Sequence, residues 1–157
     1  MMSQSSEQTR SKTKVATDAL ETGKASAPYA LARKSSPNII EGRRSFLKYI
    51  DLGTVDASDG QFRAQLMSAS QGLSRPTGWH YHVCDSQFLY MLSGWVDLAF
   101  GDGRTVRIEA GDAMFIPGGT PHNEIGTSDS FELLEISVPA DMGTEVCNPP
   151  DGWSESD

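Results

Sequence analysis

The chain contains only three histidines, His80, His82 and His122, and their spacing is that of metal ligands in a small β-barrel. His80 and His82 are two residues apart. In a strand, where side chains alternate between faces, both imidazoles then point to the same side. Gln87 follows in a segment that reads as the next strand, and His122 comes just past the turn Pro117-Gly118-Gly119. Neutral imidazole binds most first-row divalent ions, so these side chains predict a site for one divalent transition metal. Iron, zinc, manganese and nickel all accept such donors, and the residue types do not choose among them. With every histidine committed to the ion, acid or base work falls to a carboxylate, Tyr, Cys or water. Glu124 shares strand parity with His122 and is the candidate catalytic base; Glu135, on the last predicted strand, is a second inward-facing carboxylate.

The segments that carry these residues read as β throughout. Apolar runs of strand propensity recur between turn signals at Phe46 to Ile50, Phe62 to Ala69, Trp79 to Val83, Phe88 to Leu92, Trp95 to Phe100, Thr105 to Ile108, Ala113 to Ile116 and Phe131 to Val138. Asp59-Gly60, Ser93-Gly94, Gly101-Asp102-Gly103, Gly111-Asp112 and Pro117 to Pro121 supply the turns between them. No stretch of ten residues in this region holds a helical period, so a sandwich or barrel is expected. Beyond Pro139 the chain turns polar and the last strand is expected to end there, with Trp153 able to fold back onto the barrel.

Alternation then assigns the walls. With Gln87 inward, Leu89 and Met91 share its face, while Phe88, Tyr90 and Leu92 face away. Cys84 continues the parity of His80 and His82. Leu89, Met91 and Cys84 are therefore the expected substrate-pocket residues, giving an apolar cavity for a small molecule whose polar end meets the ion. Arg63, Arg75 and Arg107 are candidates to hold a carboxylate at its mouth.

A chain of 157 residues suffices for one domain with a real core. Residues 1–38 are rich in Ser, Thr, Lys, Gln and Ala and carry six basic against three acidic residues, the composition of a disordered polar tail. The expected division is that tail, a barrel over 39–142 and a C-terminal extension over 143–157. No apolar leader or membrane-length stretch is present, so a cytoplasmic protein without membrane partners is expected. From Ile39 onward seven basic residues face eighteen acidic ones, and such a surface repels nucleic acid and anionic membranes. Two cysteines far apart in sequence, Cys84 and Cys147, do not call for a disulfide.

Two ordered motifs in these residues resemble the cupin superfamily, specifically small single-domain RmlC-like cupins. The first is His80-Tyr81-His82, four residues, Gln87, six residues, Gly94; the second is Gly111, five residues, Pro117-Gly118-Gly119, two residues, His122. The chain departs from the family pattern at Ser74 in place of the leading Gly, at Gln87 in place of Glu, and at Gly126 in place of the final Asn. The resemblance implies an all-β double-stranded β-helix, or jelly-roll barrel, that binds a divalent metal, takes a small-molecule ligand and forms a homodimer through exposed positions such as Phe88 and Tyr90. It implies little about the reaction, since this fold serves oxygenases, isomerases, lyases, cyclases and sensory domains. A Gln where the family has Glu leaves the ion its full charge, making it a stronger Lewis acid held less tightly; the alternative is a Gln87 that lines the pocket without touching the ion, which leaves a three-histidine site. Such a site suits an anionic or enolisable oxygen donor, a carboxylate, β-diketone or enol. The functional expectation is thus a metalloenzyme of Lewis-acid or dioxygenase type, the alternative being a non-catalytic cupin with a sensing or accessory role. Restoring a carboxylate by Gln87→Glu is expected to tighten metal retention.

Overall fold

The computed structural model describes residues 29–154; the predicted tail falls mostly on residues 1–28, outside the described residues. Residues 31–157 form one unit. Among the described residues the chain forms eleven strands: β1 (Asn38–Ile40), β2 (Lys48–Asp51), β3 (Arg63–Ala69), β4 (His80–Val83), β5 (Ser86–Ser93), β6 (Trp95–Phe100), β7 (Thr105–Glu109), β8 (Ala113–Pro117), β9 (His122–Thr127), β10 (Phe131–Val138) and β11 (Gly143–Val146), with one four-residue helix, α1 (Thr54–Ala57). They build two antiparallel sheets, one in the order β1-β2-β3-β10-β5-β8 and the other β11-β4-β9-β6-β7. This is the expected all-β jelly roll. Among the described residues no helix is long and apolar enough to cross a membrane.

The inward faces of the two sheets meet over Leu89, Met91, Ile116, Phe131 and Leu133 from the first and Val96, Leu98 and Ile108 from the second. Full burial of each such side chain is worth roughly 1.5–3 kcal/mol. Strand β5 shows why the alternation was readable: Gln87, Leu89 and Met91 are buried, and Phe88, Tyr90 and Leu92 are exposed.

Three strands lie outside the eight predicted runs, and β9 among them was marked only by His122 and the parity of Glu124. β1 has three residues, too few for a period to show. β11 contradicts the expectation that strand structure ends at Pro139: Gly143–Val146 pairs with β4, from Gly143 opposite Val83 to Val146 opposite His80. All four of its residues are exposed, so a backbone ladder holds it in place and no hydrophobic alternation marks it.

Strand β9 carries a bulge. His122, Asn123 and Glu124 lie opposite Phe100, Ala99 and Leu98, but Gly126 and Thr127 then pair with Asp97 and Val96, leaving Ile125 as the extra residue. His122 and Glu124 thereby share the inward face of Leu98, and Thr127 also turns inward.

The turn between β8 and β9 is pinned to the end of β4. Gly118 donates to the Asp85 carbonyl at 3.0 Å and Gly119 to the His82 carbonyl at 2.9 Å. A Cβ on Gly118 would lie 1.6 Å from the Cys84 carbonyl oxygen, whereas Gly119 has open space but a φ of +73°. The two glycines answer to different constraints, a backbone crossing at 118 and left-handed geometry at 119. Gly118→Ala should therefore destabilise by about 1–3 kcal/mol, as overpacking does, and Gly119→Ala by only about 1 kcal/mol. Urea unfolding midpoints of the two variants would check the order; an equal or reversed order would count against the crossing.

Candidate metal centre and cavity

Two strands converge on one spot. His80 and His82 come from β4, and His122 opens β9 directly opposite His80. Their ring centroids lie 4.5 Å (His80–His122), 5.1 Å (His82–His122) and 5.2 Å (His80–His82) apart. One ligand nitrogen from each falls within 4.8 Å of the others, and all three residues are buried.

The hydrogen bonds around the rings decide which nitrogen is free. His80 Nδ1 lies 2.8 Å from the Gly78 carbonyl and His122 Nδ1 lies 2.8 Å from the Thr120 carbonyl. A carbonyl only accepts, so both Nδ1 atoms carry a proton, and Nε2 is the nitrogen left for a ligand in the neutral ring. His82 Nδ1 contacts the Thr144 hydroxyl of β11 at 3.1 Å. Burial pushes the His82 pKa down to about 4, helped by the positive field of Arg43 and by the other two imidazoles. Burial lowers that of His122 as well. Both rings are therefore neutral at pH 7, the state a ligand requires.

Gln87 is buried on the facing sheet, and its Nε2 donates to Glu135 Oε1 at 2.5 Å. Its Oε1 is buried with no hydrogen-bond partner among the described residues. An orphaned amide oxygen costs about 1–3 kcal/mol if nothing meets it, and a divalent ion is one group that would. The donor set of three clustered imidazoles and one free amide oxygen thus fits a metal.

Glu124 lies beside this cluster, with Oε1 3.8 Å from His80 Nε2 and Oε2 3.8 Å from Arg44 Nη2. The Thr77 hydroxyl donates to its carboxylate. Burial alone would raise the Glu124 pKa, but His80, the Thr77 hydroxyl, His122 and Arg44 together hold it below the usual carboxylate range. Glu135 is engaged differently. Arg43, Gln65 and Gln87 all donate to it, which makes it a satisfied anion rather than a free base.

A cavity of about 500 Å³ opens beside the cluster. Its polar lining is His80, His82, Gln87, Glu124 and Glu135 with Arg43, Arg44 and Thr77; its apolar lining includes Val96, Leu98, Ile108, Phe131 and Leu133. Of the expected pocket residues Leu89 lines it. Met91 is fully buried in the core, and Cys84 lies past the end of β4, outside the lining. The cationic lining comes from Arg43 and Arg44, not from the three arginines expected. Arg107 is paired with Asp97 and stacks over Trp95, and Arg63 lines a separate, smaller cavity. Sequence reasoning also missed Thr144, Val146, Cys147 and Pro149, which line one side; they lie on and after a strand with no alternation. Trp153 does fold back, packing edge-on against Trp79 with centroids 5.1 Å apart.

Residues 70–138 match the family model described as Cupin domain, and with the two-sheet fold and the histidine cluster they constitute a small cupin-superfamily domain. Among solved structures the chain is similar to the polyketide cyclase RemF from Streptomyces resistomycificus, at 20% identity and a TM-score of 0.61, covering 78% of this chain and 88% of that one. It is also similar to an RmlC-like cupin from Shewanella frigidimarina (21%, TM-score 0.53, covering 70% and 90%). A third is the nucleoside dehydratase Pac13 (20%, TM-score 0.52, covering 76% and 90%), which is from Streptomyces. At these identities the likeness concerns the fold. No curated protein matches the sequence.

The depressed His82 pKa has a consequence for the metal-free protein. In the unfolded chain His82 takes up a proton near its ordinary 6.5, whereas in the fold it resists until about 4. The unfolded state thus binds more protons in that window, and stability present above pH 6.5 is lost as pH falls toward 4. Denaturation midpoints of the chelated protein between pH 7 and 4 should fall accordingly, and more steeply than those of His82→Gln. Parallel profiles for the two proteins would contradict the assignment.

Proposed function

We propose that this cupin domain is a metal-dependent enzyme acting on a small, largely apolar molecule that carries an anionic or enolisable oxygen. The observation that supports it most is the mixed lining of the cavity. Metal-type donors and carboxylates, His80, His82, Gln87 and Glu124 among them, line the same space as Val96, Leu98, Ile108 and Leu133, so a substrate can set its oxygen end at the histidines and its apolar part against the aliphatic side chains. His80, His82, His122 and Gln87 would hold the ion, whose bound form supplies Lewis acidity toward a substrate oxygen. Glu124 is the catalytic base: it is ionised at neutral pH, oriented by Thr77 and within reach of the cavity. Arg44 supplies positive charge for an anionic substrate group. The apolar lining excludes water, which strengthens each of these interactions. RemF and Pac13 are enzymes on the same fold, which accords with this reading. Two free thiols, Cys84 and Cys147, accord with a reducing, cytoplasmic setting.

The test begins with elemental analysis of natively purified protein, expected to show about one divalent ion per chain that His82→Ala loses. The metal form that emerges is then offered β-diketones and phenolic ketones while enol absorbance and oxygen uptake are followed. Glu124→Gln should lower kcat by roughly 10²–10⁴-fold with metal content unchanged. Ligand-induced thermal shifts without any turnover would instead establish the non-catalytic, sensing or accessory role.

The partner proposed for the domain is a second copy of itself. On the outer face of the six-stranded sheet, cross-strand pairing lines up Ile39, Ile50, Leu66, Leu134, Tyr90 and Ala113 in one row spanning every strand. Beside it run Ala64, Ile136, Phe88 and Phe115. Neither row contains a charge. Phe115 is 64% exposed, Tyr90 38% and Phe88 36%. Large side chains offer roughly 150–250 Å² each, so these three expose about 200–350 Å², an apolar centre around which the rest of the face completes the roughly 800 Å² per partner of a stable interface. Sedimentation equilibrium should give a dimer for the wild type and a monomer for the Phe88→Glu/Phe115→Glu variant; a monomeric wild type would refute the pairing.

A further inference from the structure

Glu135 sits in the middle of β10 and is only 2% exposed. Its Oε1 accepts from Arg43 Nη2 at 2.7 Å and from Gln87 Nε2 at 2.5 Å, and its Oε2 from Gln65 Nε2 at 2.5 Å. An ionised carboxylate only accepts, so the half of the Gln87 amide that faces it must be the NH2. That fixes the other half. Gln87 Oε1 is left buried and without a partner among the described residues in a side chain that lines the same cavity as His80 and His82.

As internal cement this arrangement makes little sense. A buried carboxylate that needs three donors, one of them an amide whose own oxygen then goes unmet, is a costly way to join two strands; paired aliphatic residues would do it at lower cost. The cost is recovered if the orphaned oxygen has a cation to meet. We propose that Glu135 is a positioning residue: by gripping the Gln87 NH2 it locks the amide oxygen toward the histidines as the fourth donor to the ion, with Arg43 behind it balancing its charge. This rests on the reading that the three histidines hold a metal. The negative charge common to metal sites is then present one hydrogen bond away from the ion instead of on it. The N–H···carboxylate bond also draws electron density onto Oε1 and makes it a better donor.

The geometry reverses the sequence-based expectation for Gln87→Glu. A carboxylate at 87 would replace a 2.5 Å hydrogen bond to Glu135 with two anions in contact, so this variant should bind metal more weakly, not more tightly. Exchanging the two residues, Gln87→Glu with Glu135→Gln, removes the clash and should recover the affinity. Glu135→Leu frees the Gln87 amide.

The experiment uses Co2+ as the probe, reading its dissociation constant and its visible absorption, with metal-free thermal unfolding as the check on folding. Expected are a 10–100-fold weaker Co2+ affinity and an altered absorption band for Glu135→Leu, a comparable loss for Gln87→Glu, and recovery in the exchanged pair. Wild-type-like affinity and spectrum in a folded Glu135→Leu would overturn the proposal, as would an exchanged pair no better than Gln87→Glu. Should Glu135→Leu fail to fold, the comparison of Gln87→Glu with the exchanged pair decides. A wild type that binds no Co2+ would overturn the metal reading itself, and His82→Ala separates the two failures, because it should abolish binding whatever Glu135 does.

Discussion

The site depends on holding three imidazoles a few ångströms apart inside the barrel, each with a nitrogen turned to the other two. His82 and His122 must give up a proton they would hold more readily in solution, and the rings must be fixed in that orientation. Burial does the first, moving His82 down to about 4. The carbonyls of Gly78 and Thr120 do the second, by occupying the opposite nitrogens of His80 and His122. Much else in the barrel serves that requirement. The turn before β9 is fastened to the backbone around β4, so the third ring arrives against the first two. Two separate constraints on Gly118 and Gly119 are what that fastening demands.

The cavity follows from the same division of labour between sheets. β4 and β9 bring the histidines and Glu124, while β5 and β10 bring the amide and the carboxylate from the opposite side, and the apolar residues of both complete the enclosure. Both sheets therefore supply polar donors and apolar side chains to the same space. Selectivity in such a space comes from the direction in which a molecule can enter as much as from its size.

Much of this was legible in the residues. The histidine cluster, the inward turn of Gln87 and the parity of Glu124 all follow from period-two alternation, a strong signal where one face is dry and the other wet. The signal fails where that contrast is missing. β11 is exposed on all four residues, so neither it nor its contribution of Thr144 to His82 could be seen. Arg43 and Arg44 reach the cavity from a loop, where no periodicity points a side chain anywhere. Met91 has the right parity but lies farther along β5, in the closed core; parity gives a face and not a depth. Cys84 shows the opposite error, since the alternation was carried one residue beyond the strand that sustains it. The role of Glu135 was invisible for a different reason: its three donors come from a loop and two other strands, and only tertiary geometry unites them.

The extra residue at Ile125 acts as a phase shifter. An unbroken β9 would be committed to a single alternation from end to end, so that whatever suited His122 would dictate the orientation of Thr127. Inserting one unpaired position severs that link, letting Gly126 lie under Trp95 and Asp97 on the outside while Thr127 turns in to accept from the Leu73 amide. The two ends of the strand can thus be tuned separately, chemistry at one and architecture at the other, without either dragging its neighbour onto the wrong side.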